Sequence, residues 1–333
     1  MAYADELSAL GIGLISLNMK KGVPDPRAIF KLKRIVENFQ PDIIHSHMVH
    51  ANILSRVTRF FVKVPVLIST AHNTNEGGKV RMLLYRATDP LCEITTNVSQ
   101  SAVDAYIQKK ACPKNKIMFV PNGIDLKKFK RNEEDYAIIR EELGLQDEFV
   151  WLAAGRFAEA KDYPNLIQAF AKIADNDNQC KLLIAGDGVL RESMEGLVRS
   201  MHLENQIKFL GVRKDIPRLM NASDAYVISS AWEGMPMVLL EASASELPMV
   251  ATDVGGNGEV VRDGVTGYLS RPKNPDELAE KMKAMMALPS QERQEMGRNA
   301  RGFVLEKYDI DSIISRWELI YNEYYNGKKL INR

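Results

Sequence analysis

The chain has 333 residues, more than one hydrophobic core usually holds, so two domains are expected. It carries 44 Lys+Arg against 43 Asp+Glu, a formal net charge of +1, which gives no electrostatic footprint for nucleic acid. Its three cysteines, Cys92, Cys112 and Cys180, are scattered, odd in number and free of any CxxC, which argues against a disulfide frame or zinc knuckle and for a reducing cytoplasm.

Taken in chain order, MAYADELSAL has neither the basic nor the apolar region of a signal peptide. Short apolar runs then alternate with segments of helical period. Strands are expected at 13–18 (GLISLN), 42–46, 65–70, 93–98 and 116–120, with helices at 26–39, 48–62, 77–90 and 99–110. PNGIDLKKFKRNEED is polar and turn-rich and reads as a linker near 121–135. A second series of strands follows at 148–154, 181–185, 207–210, 225–229, 249–252 and 267–270. Runs that are apolar throughout suit strands buried on both faces of a parallel sheet. The expected fold is therefore α/β, with two doubly wound, Rossmann-like domains facing each other. The tail at 309–326 sets Ile313, Ile314, Trp317, Ile320, Tyr321 and Tyr324 at helical spacing and could pack on either domain.

In such sheets ligands gather at the carboxyl ends of the strands, so the segments that follow each strand carry the functional reading. HSHMVH sets His45, His47 and His50 at a strand end. A metal there would need convergent side chains and supporting partners, and polar residues at a strand end are the simpler account. His72 follows the next strand. In GRFAEAKDYPNLI, Gly155 permits a tight turn, and Arg156 and Lys161 stand near a helix start, a combination that suits a diphosphate. Seen alone they are two surface cations on a βα loop. AGDGVLRE lacks the third glycine of a dinucleotide fingerprint and reads as a turn.

SSAWEGMPMVLLEASA holds Glu233 and Glu241, eight positions apart, around Gly-Met-Pro-Met. Pro236 suits the first turn of a helix over about 236–246, whose free N–H groups at Gly234, Met235 and Met237 would point into the cleft. The two carboxylates cannot touch, but each can accept from hydroxyls of one extended ligand. The bland reading of Glu233 is a favourable helix-dipole charge; Glu241, inside an apolar helix, needs a partner. DVGGNGEVV opens a further short helix with Gly255 and Gly256.

These residues carry a family resemblance. EGMPMVLLE is similar to the E-x7-E motif of retaining glycosyltransferases of family 4, which have the GT-B fold. GRFAEAKDYPNLI, GVRKDIPRLMNASDAYVISS, DVGGNGEVVRDGVTGYL, PNGIDLKKF, PDIIHSHMVHANILSR and STAHNTNE resemble the family's other blocks, in order, from about residue 5 to 310. The resemblance implies a nucleotide-sugar donor, most often a UDP-sugar, and a saccharide or lipid-linked acceptor. It implies no required cofactor or metal. It implies that Glu241 holds the ribose hydroxyls, that Glu233 and the backbone of Gly234 to Met237 face the donor sugar, and that Arg156 and Lys161 meet the diphosphate. Val212 and Ile216 would lie near the base, Gly155, Gly255 and Gly256 would line the donor pocket, and His72 would approach the donor sugar and β-phosphate. His47 and Asn73 would lie on the acceptor side. The implied division is an acceptor-side domain at 1–125, a donor domain at 126–308, and a helix at 309–333 that crosses back.

The sequence departs from the family at several places. The resemblance starts after the family's first strand, Gly-rich loop and helix, so an open sheet edge is expected. Glu246 stands where the family often has glycine, and a left-handed backbone there would cost about 1 kcal/mol. Asn257-Gly258 replaces an apolar-Pro pair. LSRVTRFFVK (54–63) and KVRMLLYRA (79–87) mix bases with apolar residues, so peripheral membrane contact is one reading and snorkelling bases on packed helices the other. No apolar run approaches the ~20 residues of a membrane span. Two alternatives of function stay open: a UDP-sugar epimerase of the same fold, and a truncated, non-catalytic nucleotide-sugar binder.

Overall fold

The computed structural model describes residues 4–19, 25–74, 76–174 and 179–331. The first part of the chain runs α1 (Ala4–Ala9), α2 (Arg27–Phe39), β1 (Ile43–His47), α3 (Val49–Thr58), β2 (Val66–Ala71), α4 (Lys79–Thr88), β3 (Ile94–Asn97), α5 (Gln100–Gln108) and β4 (Ile117–Phe119). The second part runs α6 (Glu133–Leu143), β5 (Phe149–Ala154), α7 (Tyr163–Ala171), β6 (Cys180–Ala185), α8 (Arg191–Ser200), β7 (Ile207–Gly211), α9 (Ile216–Asn221), β8 (Ala225–Ile228), α10 (Met237–Ala244), β9 (Met249–Thr252), α11 (Asn257–Val260), β10 (Gly267–Ser270), α12 (Pro275–Ala287), α13 (Ser290–Tyr308) and α14 (Ile310–Ile331).

The strands form two all-parallel sheets. One has the order β1-β2-β3-β4; the other has the order β10-β9-β8-β5-β6-β7, with its switch point between β5 and β8. Strand β2 is buried at every position, as a parallel strand covered by helices on both faces must be. Local chemistry sets the helix ends. Ser99, Asn132 and Asn274 cap α5, α6 and α12 by accepting from the N–H groups of Ala102, Glu134 and Glu277, and Gly144 ends α6 in the left-handed conformation.

The tail resolves to the first sheet. Trp317, Ile320, Tyr321 and Tyr324 of α14 pack on Val66, Ile68, Ile94 and Val120. The two crossings between the sheets are tied together: the Ile124 N–H donates to the Tyr308 carbonyl at 2.8 Å and the Ile310 N–H to the Ile124 carbonyl at 3.1 Å.

Two expectations are corrected. Residues 12–19 form no strand; Leu14 and Ile15 are exposed, and no described strand pairs with the run. A strand exists only through its ladder, so apolar alternation alone did not make one. The 54–63 stretch is not a basic outer face. Arg56 is fully buried, donating to the Ser69 and Thr95 hydroxyls and the Tyr85 carbonyl, and Arg59 is paired with Glu93 at 2.9 Å. Buried guanidinium donors need acceptors, and the first sheet supplies them. On α4, by contrast, Lys79, Val80, Leu83, Leu84 and Arg86 are exposed. No helix among the described residues is long and apolar enough to cross a membrane.

Glu246 follows α10 with φ +57°, in the left-handed region. Its ion pair with Arg301, at 3.8 Å and partly exposed, stabilises little. Replacement by glycine, Glu246→Gly, is expected to raise stability by about 1 kcal/mol, or about 2 °C in Tm. A fall in Tm in a calorimetric scan would mean that the side-chain contacts outweigh the backbone strain.

Candidate functional site

The carboxyl ends of the two sheets meet across a cleft, and main-chain contacts set their distance. Gly234, after β8, lies so close to the His72 carbonyl, after β2, that any Cβ there would overlap it. Gly255, at φ +54°, lies in the same way on the Glu233 carbonyl. The Gly256 N–H donates to the Gly234 carbonyl at 2.7 Å, and Thr74 Oγ1 reaches the Glu233 carbonyl at 3.5 Å. The loop after β9 is thus stacked on the loop after β8, which is stacked on the loop after β2.

Against this backbone stack sits an ion pair. Lys161 Nζ lies 2.6 Å from Glu233 Oε1, with side chains 20% and 13% exposed. Ser230 Oγ donates to the same oxygen at 2.7 Å. Gly155 gives the lysine stem its path: a Cβ there would stand 3.2 Å from Lys161 Cε. Arg156, next along the loop, is exposed at the rim. The loop is propped from behind by the AGDG turn, in which Gly186 and Gly188 pack directly on the carbonyls of Gly155 and Phe157.

Pro236 precedes α10 as its cap residue and lies outside its first turn, so the helix starts at Met237. Met235 is buried and Met237 partly so. Glu241 projects from α10. Burial pushes its carboxyl pKa up, and Lys128 pulls the other way. Tyr226, fully buried, has its hydroxyl pushed up by burial, with Tyr163, Glu241 and Glu233 adding to the effect. Both carboxylates therefore act on one phenol, although no direct contact joins them. Val212 is exposed in the loop after β7, and Ile216 opens α9, partly buried against the second sheet's core.

Across the cleft, three histidines form a chain. Thr96 and Thr70 share a hydrogen bond of 2.7 Å, Thr70 meets His45 Nε2 at 2.6 Å, and His45 Nδ1 meets Tyr321 Oη of α14 at 2.7 Å. His47 stacks on His45 at 4.2 Å, and its Nδ1 lies 3.1 Å from His72 Nε2. Burial lowers the pKa of all three: His45 to about 3, His72 to about 4, and His47 below its ordinary value. Asn73 turns toward Glu76, a buried carboxyl that also accepts from Tyr106 Oη at 3.1 Å and whose pKa burial raises. Sequence reasoning passed over Glu76, Ser230 and Thr74, because their significance lies in partners far along the chain.

Comparison with known proteins decides the family. The family model described as "Glycosyl transferases group 1" matches residues 135–303, and "Glycosyltransferase Family 4" matches 7–128. The chain belongs to the group 1 glycosyl transferases. It is 30% identical to N-acetyl-alpha-D-glucosaminyl L-malate synthase of Bacillus anthracis, over 90% of this chain and 79% of that one. It is 25% identical to UDP-Gal:alpha-D-GlcNAc-diphosphoundecaprenol alpha-1,3-galactosyltransferase of Escherichia coli, over 90% and 80%. Its fold is that of Anabaena HepE in complex with UDP-glucose, with TM-score 0.86 at 24% identity, covering 97% of this chain and 89% of that one.

This group 1 enzyme is thus a GT-B glycosyltransferase, and the cleft between its two sheets is where the residues singled out above converge. Gly155, Lys161, Glu233, Gly234, Gly255, Gly256, His72 and His47 form one continuous set of contacts. Arg156, Val212, Ile216 and Glu241 lie on segments of the second sheet's side: the loop after β5, the loop after β7, the start of α9 and α10.

Two predictions follow from this geometry. Gly234→Ala forces the His72 loop away while leaving each sheet intact, so activity is expected to fall at least ~10²-fold, the scale of a misplacement of about 1 Å. Circular dichroism should change little and Tm should fall by a few degrees, the scale of ~1–3 kcal/mol of overpacking, and retained activity would show that the loops can part freely. The histidines supply the second. A folded-state pKa below the ordinary 6.5 means that the unfolded chain binds more protons. Their contribution to stability is complete above pH 6.5 and is lost as pH falls toward 4 and then 3. In NMR spectra the His45 and His72 ring signals should stay at neutral-imidazole shifts down to pH 5; titration near 6.5 would contradict the desolvated cluster.

Proposed function

We propose that this glycosyltransferase moves a sugar from a UDP-sugar to a hydroxyl of a saccharide or lipid-linked acceptor, with retention at the anomeric carbon. The observation that carries the reading is the Lys161–Glu233 pair set beside glycine-framed backbone at the start of α10, directly opposite His72. Residues 126–308 would form the donor side and 1–125 the acceptor side, with 309–333 the helix that returns to the latter.

Breaking the bond from sugar to diphosphate builds negative charge on the leaving group and positive charge on the anomeric carbon. Arg156, Lys161 and the N-terminus of α10 would stabilise the departing diphosphate more than the intact donor. Glu241, an acceptor on an apolar helix, would take the ribose hydroxyls, and the backbone of Gly234 to Met237 with Glu233 the hydroxyls of the sugar. Val212 and Ile216 would flank the base. His72, neutral by desolvation, would approach the donor sugar and β-phosphate and offer its single N–H to one of them, without adding a charge that repels Lys161. His47 and Asn73 would line the acceptor side. Retention follows the family resemblance: the acceptor approaches the face the leaving group vacates, and the leaving phosphate takes its proton. No metal or cofactor is required for this. Support for the donor comes from HepE, seen with UDP and with UDP-glucose, and for a lipid-linked acceptor from the Escherichia coli galactosyltransferase. The exposed bases and apolar residues of α4 would serve such an acceptor at a membrane surface.

Thermal shift tests the donor. UDP at about 100 times its Kd should stabilise by roughly 2.7 kcal/mol, and Glu241→Ala should remove most of the shift. Lys161→Ala should cut turnover of the preferred UDP-sugar by ~10²–10³ while leaving Tm near that of the parent. No shift with UDP or any UDP-sugar would sink the proposal, and a product of inverted anomeric configuration by NMR would sink its stereochemical half.

A further inference from the structure

Glu259 belongs to the donor side, yet its carboxylate lies on the opposite domain. One oxygen accepts from the Gln100 N–H and the other from the Ser101 N–H, each at 2.9 Å. These are the first two N–H groups of α5, which have no partner within the helix. Ser99 Oγ takes the third, from Ala102, at 3.2 Å. A carboxylate divided between two N–H groups at the positive end of a helix is a charge-assisted contact with a fixed geometry. On its own side, Glu259 is tied at both ends. Its N–H donates to the Gly256 carbonyl at 3.1 Å, and its carbonyl accepts from Tyr308 Oη at 3.2 Å. Tyr308 in turn holds the crossing strand through Ile124, and Gly256 packs against Ser99 at a distance that leaves 3.1 Å for a Cβ.

One four-residue helix, α11, thus joins the glycine loop of the cleft, the crossing between the sheets and the start of α5. We propose that Glu259 is a positioning residue: it latches the donor domain onto α5 and so seats Gly255 and Gly256, and with them Glu233, against His72 in the closed cleft. This rests on the cleft being the donor site. The contact is exposed at Gln100, so opening the cleft would hand all four polar groups to water and the latch would be reversible.

The latch can be cut from either side. Glu259→Ala removes the carboxylate. Gln100→Pro removes one N–H without disturbing the helix, since the first helical position accepts proline and Ser99, at φ −138° and ψ 151°, already has the extended backbone proline requires before it. With the full chain and its preferred UDP-sugar, each variant should lower kcat about tenfold, the scale of one charged hydrogen bond, while UDP affinity stays within about twofold. The double variant should be no worse than the weaker single one, because both cut the same contact. Glu259→Gln, which keeps an acceptor but loses the charge, should fall between parent and Glu259→Ala. Unchanged kcat in both singles, or losses that multiply in the double, would overturn the latch. So would a parallel loss of UDP affinity and Tm, which would mark Glu259 as merely structural. Absence of a UDP shift in the parent chain would instead count against the donor reading.

Discussion

How near the two domains come is decided by main chain, at the point where the His72 carbonyl oxygen meets the α-carbon of Gly234. No side chain fits between them. The same rule repeats one layer on, where Gly255 meets the Glu233 carbonyl and the Gly256 N–H closes on the Gly234 carbonyl. Three loops from three strand ends are therefore stacked backbone on backbone. A contact of this kind has little freedom to adjust, because a peptide plane cannot change rotamer. It brings the ends of β2, β8 and β9 into one register, and every polar group of the cleft inherits its position from that register.

The electrostatics of the cleft are divided between its sides. On the side of the second sheet stand the cations Arg156 and Lys161, the start of α10 and the carboxylate of Glu233, already bridged to lysine. On the other side stand imidazoles that burial keeps uncharged. In the reaction proposed above this division would have a chemical use. A neutral imidazole next to a departing diphosphate can donate one hydrogen bond, while an imidazolium beside a forming sugar cation would oppose it. The uncharged state depends on the tail of the chain, since Trp317 and Tyr321 of α14 cover His45. The last helix thus does more than fill the sheet's outer face: it contributes to the dryness of the histidine chain.

What the sequence revealed, and what it hid, follows from which forces are local. The strands at 249–252 and 267–270 were legible to the residue, because each is a short, mostly apolar run bounded by Pro, Gly or Asp turn residues. The left-handed backbone at Glu246 matches the glycine that the resembled family often has there, before Leu-Pro. The run at 13–18 was misread, since an apolar alternation carries no information on whether a neighbouring strand exists to pair with. The bases of 54–63 were misread for the opposite reason. Arg56 has the pattern of a surface residue, but Ser69, Thr88 and Thr95, from other elements, provide acceptors for it in the interior. Glu259 was invisible, as no spacing rule connects residue 259 to residue 100.

The glycines show how motif reading and structure complement each other. Gly186 and Gly188 resemble the start of a dinucleotide fingerprint, and the absence of a third glycine correctly sets that aside. Their physical role is to let the β6–α8 turn lie on the carbonyls of Gly155 and Phe157. The turn therefore holds the Arg156–Lys161 loop from behind, at the one place where a displaced lysine would break its pair with Glu233. Positions on the second sheet's side are fixed by glycine and main chain, whereas the opposite side is fixed by side chains linked ring to ring and hydroxyl to hydroxyl. A main-chain scaffold tolerates changes in neighbouring side chains but not a single added Cβ; a side-chain chain tolerates backbone drift but not the loss of a link. The cleft combines both, so its second-sheet half should be the more rigid against substitution at non-glycine positions, and its first-sheet half the one that a change of side chains can reshape.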